Sequence, residues 1–343
     1  MKTAFLAMSV HINRTRSSDF FIEILREFFG DVTVIPHERV WIDVPKTKWD
    51  LIVVWQARYT PRELEAFGAD RVVLVPMYDD VPFEQAYWTR YRQFKVFCFS
   101  STLEKLLISY GLNVWGARYY PDPGAPIDHS WDDLRAFFWQ RYAYVDWPLV
   151  KRLMGETEFA RINLHWTPEE HEAQRPPIGD EELANGKVQV SSWFKGSEEY
   201  RSYLTRYNVY FASRIYEGIG LSFLEAMAMG LCVVAPERPT MNEYIENGKS
   251  GILYDPERPI PLDFSRAREI GAAARASCEL GRSQWLEALP RLRGFLEEPV
   301  PRYHPRKHPL IVARGLANYA IRKVPGAREA YRFLKRLLAG ERE

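Results

Sequence analysis

Residues 214–256 read RIYEGIGLSFLEAMAMGLCVVAPERPTMNEYIENGKSGILYDP, and this stretch decides how the fold is interpreted. A loop containing two glycines leads directly into SFLEAMAMG, which has apolar residues at helical spacing and a final glycine, Gly230, that is typical of a helix end. The next run, LCVVAP, has the continuous apolar character of a strand covered on both faces. The order of loop, helix and buried strand predicts one unit of an α/β fold.

Two glutamates, Glu217 and Glu225, lie on either side of the start of this helix, after the apolar run VYFAS. In an open parallel sheet, ligands bind beyond the carboxyl ends of the strands, where loops enter helices. Gly218 and Gly220 allow the backbone to approach a ligand closely, and the first amides of the helix favour an anion such as a diphosphate. In such a site Glu217 could accept hydrogen bonds from sugar hydroxyls, and Glu225 could hold a vicinal diol such as a ribose.

The same residues have a purely structural interpretation. Ser222 followed three residues later by Glu225 matches a capping box, in which serine and glutamate each bond a backbone amide at the helix start. Thr240 and Glu243 repeat that spacing in TMNE, which shows how common the pattern is. Taken alone, the local pattern favours capping over ligand binding.

The rest of the chain repeats the alternation of strands and helices. Apolar runs such as DLIVVWQ, RVVLVPM and KVFCFS alternate with helical patterns, which predicts two doubly wound parallel sheets. Proline and glycine interrupt both periods in YYPDPGAPIDHS, the best candidate for a hinge. We predict a first domain at 1–120, a hinge at 121–134, a second domain at 135–285 and a helical, basic tail at 286–343.

Composition excludes several classes of protein. The 343 residues contain 46 lysines and arginines against 45 aspartates and glutamates, so bulk charge does not favour a nucleic-acid partner. The three cysteines lie far apart, and two of them lie inside apolar runs, as expected of a reduced, cytoplasmic protein. No apolar run has the length of a membrane span, and the N-terminus lacks a signal-peptide cleavage site.

Over about 70 residues, from VQVSSWF to ILYDP, the sequence resembles the donor-binding half of GT-B glycosyltransferases, specifically the retaining enzymes of family 4. Their signature is a glutamate pair with the spacing of Glu217 and Glu225. The resemblance implies two Rossmann-like domains facing a cleft, a nucleotide-sugar donor, and a catalytic role for Glu217 in contacting the donor sugar. It implies donor binding by Gly218, Ile219, Gly220, Leu221, Ser222 and Glu225, with Glu225 at the ribose.

The family also has an arginine and a lysine that neutralise the departing diphosphate. The segment FFWQRYAYVD supplies Arg141 as the second catalytic candidate, but Asp146 stands where the lysine is usually found. Lys151 and Lys195 could replace it in space, although each also fits a solvated surface charge. The sequence leaves open which cation completes the site.

The first domain departs further from the family pattern. Asp79 or Asp80, in VPMYDDVPF, occupies the place of an expected histidine–aspartate pair, and His11 lies in the first loop. These three residues are candidates for the acceptor side. The alternative is that the aspartates cap the next turn and that His11 is part of the polar surface.

Some chemistry is excluded by missing motifs. No two aspartates are separated by one residue, as in the metal-binding motif of the other major glycosyltransferase fold, and no histidine–cysteine cluster has zinc spacing. We therefore expect no metal and no cofactor. The serine hydrolase motif G-x-S-x-G does not occur either.

The C-terminal segment GAREAYRFLKRLLAGERE is a basic amphipathic pattern. Such a helix can lie on an anionic membrane surface, or it can pack back on the first domain with a solvated basic face. The sequence does not distinguish these alternatives.

The predicted function is a metal-independent, retaining hexosyl transfer from a nucleotide sugar to a saccharide or lipid-linked saccharide, in surface polysaccharide synthesis at or near the inner face of the membrane. A non-catalytic GT-B subunit that binds a sugar nucleotide or scaffolds a membrane-associated complex is the alternative. A sugar-nucleotide epimerase or a phosphorylase on the same architecture is a further one.

Overall fold

The computed structural model describes residues 1–56, 58–142, 144–167, 178–184, 186–300, 303–306 and 308–323. Within them the chain forms two parallel six-stranded sheets with helices packed on their faces. This is the α/β class predicted from the alternation of apolar runs and helical patterns.

The first sheet contains strands β1 to β6 in the order β2-β1-β3-β4-β5-β6. Its elements are β1 (Thr3–Ala7), α1 (Ser9–Asn13), α2 (Asp19–Phe29), β2 (Val32–Pro36), α3 (Val40–Asp43), β3 (Leu51–Trp55), α4 (Pro61–Ala66), β4 (Val72–Val75), α5 (Gln85–Trp88), β5 (Lys95–Cys98), α6 (Ser101–Ser109) and β6 (Asn113–Gly116). Every residue of β1, β3, β4 and β5 is buried, because helices cover both faces of the sheet.

The second sheet contains strands β7 to β12 in the order β12-β11-β10-β7-β8-β9. Its elements are β7 (Arg135–Gln140), α7 (Trp147–Met154), β8 (Arg161–Trp166), α8 (Asp180–Ala184), β9 (Val188–Ser191), α9 (Ser197–Leu204), β10 (Val209–Phe211), α10 (Leu221–Ala228), β11 (Cys232–Pro236), α11 (Met241–Tyr244) and β12 (Ile252–Tyr254). The run LCVVAP supplies β11, which is buried along its whole length.

One long helix, α12 (Ala267–Glu297), connects the two sheets. Its 31 residues span about 46 Å, enough to reach from one domain to the other. It packs on β11 and α10 of the second domain, while Trp285 contacts Phe99 of the first. The domain boundary predicted after residue 285 therefore falls inside a continuous helix, which runs on through Pro290.

The end of α12 is fixed to the first sheet by Lys95. This lysine side chain is 1% exposed, and its Nζ donates to the carbonyl oxygens of Phe295 and Glu298, each at 2.5 Å. A cation at the C-terminus of a helix is favourable because the carbonyls there carry partial negative charge. The buried Lys95 of the first domain thus binds the C-terminal end of a helix that begins in the second domain.

A final helix, α13 (Pro309–Lys323), packs on α3 and α4 of the first domain. Gly315 lies directly against Trp41, and His308 Nε2 lies 2.9 Å from Glu65 Oε2. The basic amphipathic segment predicted at 326–343 lies outside the described residues. No helix in the described ranges is both long and apolar enough to cross a membrane.

A carboxylate from the second domain caps a helix of the first. The Glu243 side chain accepts hydrogen bonds from Ser100 Oγ at 2.8 Å and from the amides of Ser101 and Thr102 at 2.7 and 3.1 Å, at the start of α6. Arg118 donates to the carbonyl oxygen of the same glutamate. An anion at a helix N-terminus satisfies amides that have no partner within the helix, so this contact fastens the two domains.

We expect Glu243→Ala to lower the free energy of unfolding by about 2 kcal/mol, because it removes three hydrogen bonds to a charged acceptor at a helix start. Chemical denaturation followed by tryptophan fluorescence measures the free energy of unfolding of the variant and of the wild type. Glu246→Ala is the matched control, since Glu246 lies three residues further on and makes an exposed pair with Lys249. Equal stability of the two variants would show that the Glu243 contact does not hold the domains together.

Candidate active site

The candidate active site includes the loop between β10 and α10. Gly220 has φ 81° and ψ 46°, a left-handed conformation that glycine adopts without strain, and it is the N-cap of α10. A side chain at this position would also collide with the Phe223 ring. No side chain caps α10, so its first amides have no side-chain acceptor.

The capping-box interpretation of Ser222 and Glu225 is wrong. Because the left-handed Gly220 is the N-cap, Ser222 is the second residue of the helix and not its cap. The second candidate box also fails, since Thr240 makes no side-chain cap bond and Glu243 instead reaches the start of α6. Local spacing predicted both boxes, whereas the helix starts are set by backbone conformation and by contacts between domains.

The loop touches the first domain at Gly218. A methyl group added there would lie 2.7 Å from Met77 Cβ and 2.9 Å from Asp79 Oδ1. Both of those residues follow β4, whose carboxyl end faces the cleft. The absence of a side chain at position 218 is therefore what lets the two domains approach each other at this loop.

An ion pair between the domains lies beside the loop. Arg214 Nη1 is 2.6 Å from Asp79 Oδ2, and its Nη2 donates to the Tyr142 hydroxyl at 2.7 Å. Arg214 follows β10, Tyr142 follows β7 and Asp79 follows β4, so all three come from carboxyl ends of parallel strands. The side chains of Arg214 and Asp79 are only 19% and 13% exposed.

Glu217 lies within the electrostatic reach of this pair. Burial raises the pKa of Glu217 to about 7; the positive charges of Arg214 and Arg141 oppose this increase, and the negative charge of Asp79 adds to it. Burial likewise raises the pKa of Asp79, against the charge of Arg214. Glu217, Arg141, Arg214 and Asp79 thus form one cluster at the junction of the domains.

Glu225 lies on α10, one helical turn after the first residue of the helix, Leu221. Burial raises its pKa to about 7, and the charge of Arg201 on α9 only partly opposes the increase. No described residue donates a hydrogen bond to the carboxylate of Glu225 or of Glu217. Each is therefore a half-buried acid whose charged form is costly, and a hydroxyl-bearing ligand would stabilise it.

The acceptor-side candidates of the first domain reach the same cleft. His11 lies on α1, with Nδ1 3.0 Å from Ser17 Oγ. Burial lowers the pKa of His11, and the charges of Asp80, Arg214 and Arg141 also act on it. Since the ordinary histidine pKa is already below 7, this histidine is neutral at pH 7. Its electrostatic coupling to residues of the second domain places His11 at the cleft rather than on a remote surface.

Asp79 and Asp80 have different partners. Asp79 pairs with Arg214 across the cleft, whereas Asp80 Oδ1 pairs with Arg58 of its own domain at 2.6 Å. Neither side chain caps a helix: Tyr78–Asp80 forms a short 3-10 helix whose N-cap is Met77. The alternative that these aspartates cap the next turn is therefore wrong.

The position of the expected lysine has a structural role here. The Asp146 side chain accepts a hydrogen bond from the Leu149 amide at 2.9 Å and is the N-cap of α7. Lys151 pairs with Glu182 at 2.8 Å. Lys195 is exposed, and its backbone amide donates to Glu199. Among the described residues, neither Lys151 nor Lys195 contacts the cluster around Glu217.

The sequence analysis missed Arg214 and Tyr142. Arg214 is the first residue of the stretch that decides the fold, three residues after the end of the buried strand β10, and Tyr142 follows Arg141. A charged residue at the carboxyl end of a central parallel strand was the available signal. In the described part of the chain, no three His, Cys, Asp or Glu side chains are grouped as metal ligands would be.

Comparison with known proteins bears on the loop segment and on the fold. Residues 180–262, which include the loop, α10 and β11, match the family model described as glycosyl transferases group 1. A curated relative, the GtfA subunit of the UDP-N-acetylglucosamine–peptide N-acetylglucosaminyltransferase of Streptococcus pneumoniae, is 30% identical over 108 residues. That match covers 31% of this chain and only 21% of the relative.

Solved structures share the architecture of most of the chain. HepE of Anabaena, solved in complex with UDP and glucose, has a TM-score of 0.58 at 15% identity, over 85% of this chain and 100% of that one. Sucrose-phosphate synthase from Thermosynechococcus elongatus has a TM-score of 0.61 at 14% identity, over 86% and 99%. At these identities the likeness shows the fold, and the fold is GT-B, as the resemblance of the sequence implied.

We expect Glu225→Gln to stabilise the protein at pH 8 by about 2–3 kcal/mol and to have much less effect at pH 5.5. A raised carboxyl pKa means that the folded state binds the proton more tightly than the unfolded state, so stability falls as pH rises from about 4.5 to about 7. Glutamine at position 225 removes this fall in folding stability, because it does not ionise. Denaturant unfolding at the two pH values measures it, with exposed Glu246→Gln as the control; equal gains at both pH values would contradict a buried, titrating Glu225.

We expect Gly218→Ala to lower the melting temperature by several degrees, because its methyl group would overlap Met77 and Asp79 and force the domains apart. Gly196→Ala is the control, since a methyl group there has no atom within 4 Å and the backbone is extended. Thermal unfolding of both variants compares them. Unchanged melting of Gly218→Ala would mean that the loop does not contact the first domain.

Proposed function

We propose that this protein is a retaining glycosyltransferase that transfers a hexose from a nucleoside diphosphate sugar to a saccharide or lipid-linked saccharide. One observation carries the proposal: the loop from Glu217 to Gly220 lies against the first domain and leads into the uncapped start of α10, and no described residue donates a hydrogen bond to the carboxylate of Glu217 or Glu225. The group 1 family match over residues 180–262 supports the same activity.

Each part of the donor has a group of matching chemistry. The first amides of α10, around Gly218 to Leu221, favour a diphosphate because they carry partial positive charge. Glu217, in the loop, binds the hydroxyls of the sugar, and Glu225, on α10, binds the ribose. A carboxyl with a pKa of about 7 can accept a hydrogen bond from a hydroxyl when ionised and donate one when protonated.

The reaction follows from this arrangement. The bond between the anomeric carbon and the diphosphate oxygen breaks while the acceptor oxygen bonds to the same face of the sugar. The acceptor proton passes to the departing diphosphate oxygen. Negative charge grows on the diphosphate, so the helix amides and Arg141 supply the main stabilisation, and no metal is required of the protein.

Uridine diphosphate sugars are the first donors to test. HepE was solved with UDP and glucose, and the pneumococcal relative is named for UDP-N-acetylglucosamine. On the acceptor side, His11 is neutral at pH 7 and can share a hydrogen bond with an incoming hydroxyl, next to Asp79 and Asp80. A role in surface polysaccharide synthesis, with the basic tail at an anionic membrane surface, is part of this proposal.

The test begins with thermal shifts of the protein in UDP, GDP, ADP and CMP, each with and without magnesium. We expect one diphosphate to raise the melting temperature without magnesium, because a ligand that binds only the folded state stabilises it. The nucleotide sugar of that base is then used to measure turnover. Protein that binds the nucleotide but has no turnover with any acceptor would favour a non-catalytic subunit, the alternative suggested by Asp146 in place of a lysine.

We expect Glu217→Gln to reduce turnover on the order of 100-fold without loss of folding stability, since misplacing a reacting sugar costs about that much. Glu225→Ala should instead weaken nucleotide affinity. Kinetics and calorimetry separate the two effects. Unchanged transfer by Glu217→Gln would remove Glu217 from the reaction.

A further inference from the structure

Arg214 is a largely buried cation that has no role in the reaction proposed above. Its guanidinium is clamped between Asp79 of the first domain and the Tyr142 hydroxyl, and it lies over the Tyr142 ring at 4.8 Å from the centroid. Tyr142 in turn stacks on Tyr144, with the ring centroids 5.1 Å apart. These contacts fix the plane and position of the guanidinium.

The position of Arg214 is that of a site residue. It lies three residues before Glu217 at the end of β10, and β10 pairs directly with β7, the strand that leads to Arg141. The two arginines therefore follow neighbouring strands at the edge of the sheet where the uncapped α10 begins. Both act electrostatically on Glu217 and on His11.

The diphosphate needs more positive charge than Arg141 and the amides of α10 provide. A nucleoside diphosphate that leaves a sugar carries a charge of about −3 near neutral pH, and each terminal phosphate has its second pKa near 6. The position of the expected lysine is occupied by Asp146, which caps α7, and Lys151 is paired with Glu182. Neither position therefore supplies the second cation. A guanidinium presents five N–H donors in a rigid fork, so it can serve a carboxylate and a phosphate together.

We propose that Arg214 is the second cation of the diphosphate site and that Asp79, from the opposite domain, holds it in position and competes with the diphosphate for it. This inference rests on the proposed function, because it requires a nucleoside diphosphate in the cleft. It gives Asp79 a role in controlling donor affinity, and it gives Tyr142 a role in orienting the guanidinium.

Opposite effects of the two substitutions separate this role from a structural one. If Arg214 binds the diphosphate, Arg214→Gln weakens UDP binding, whereas Asp79→Asn strengthens it by releasing the guanidinium and removing a nearby negative charge. If the pair only joins the domains, both substitutions act in the same direction. Arg214→Lys retains the charge but not the fork, and we expect an intermediate affinity.

The experiment is calorimetric titration of the full chain with uridine, UMP and UDP, or with the matching series of whichever base the thermal panel selects. For Arg214→Gln we expect the ratio of UDP affinity to uridine affinity to fall roughly tenfold or more, the effect of losing a charge-assisted hydrogen bond. Uridine affinity itself should change little. Arg118→Gln is the matched control, because Arg118 also donates across the domain interface but at the start of α6.

The double variant Arg214→Gln with Asp79→Asn removes the remaining ambiguity. In Arg214→Gln alone, the unpaired Asp79 would repel the diphosphate even if Arg214 never touched it. If repulsion were the whole effect, the double variant would bind UDP as well as the wild type does. We expect its UDP affinity to stay well below that of the wild type and of Asp79→Asn.

The remaining outcomes are decisive. Wild-type protein that binds UDP, with an unchanged UDP-to-uridine ratio in Arg214→Gln or full recovery in the double variant, overturns the role of Arg214 and leaves the proposed function intact. Wild-type protein that binds no nucleoside diphosphate overturns both.

Discussion

The Asp79–Arg214 ion pair is the interaction on which the geometry of the cleft depends. Its two side chains are more than four-fifths buried and come from different domains. Removing one partner of such a pair is costly because the other is left as an uncompensated charge away from water. The pair therefore fixes the distance between β4 and β10, and with it the contact of Gly218 with Met77 and the neighbourhood of Glu217.

Much of the fold follows from local sequence, and much of the site does not. Continuous apolar runs predicted the buried strands, and the glycines predicted the close approach of the loop. The partners of Arg214 and Glu243 could not be predicted, because Asp79 is 135 residues from Arg214 and Ser100 is 143 residues from Glu243. The capping boxes failed for a related reason: a left-handed Gly220 moved the helix start by two residues.

The two glutamates illustrate a trade-off between stability and function. Each is held in surroundings that raise its pKa to about 7, so each destabilises the empty fold at neutral and alkaline pH. Neither is relieved by a hydrogen bond from the described part of the chain. A ligand that supplies hydroxyls would recover this free energy on binding, so its affinity would be linked to the destabilisation that the two glutamates cause.

The long helix α12, anchored by Lys95, limits how the cleft can move. The described chain passes between the domains twice, once through the segment 117–134 and once along α12. The two covalent crossings allow the domains to rotate about the line that joins the crossings, and they resist sliding or separation of the domains. Opening of the cleft is then close to a rotation with one degree of freedom. The contacts across the cleft, including those of Glu243 and Asp79, therefore form or break together.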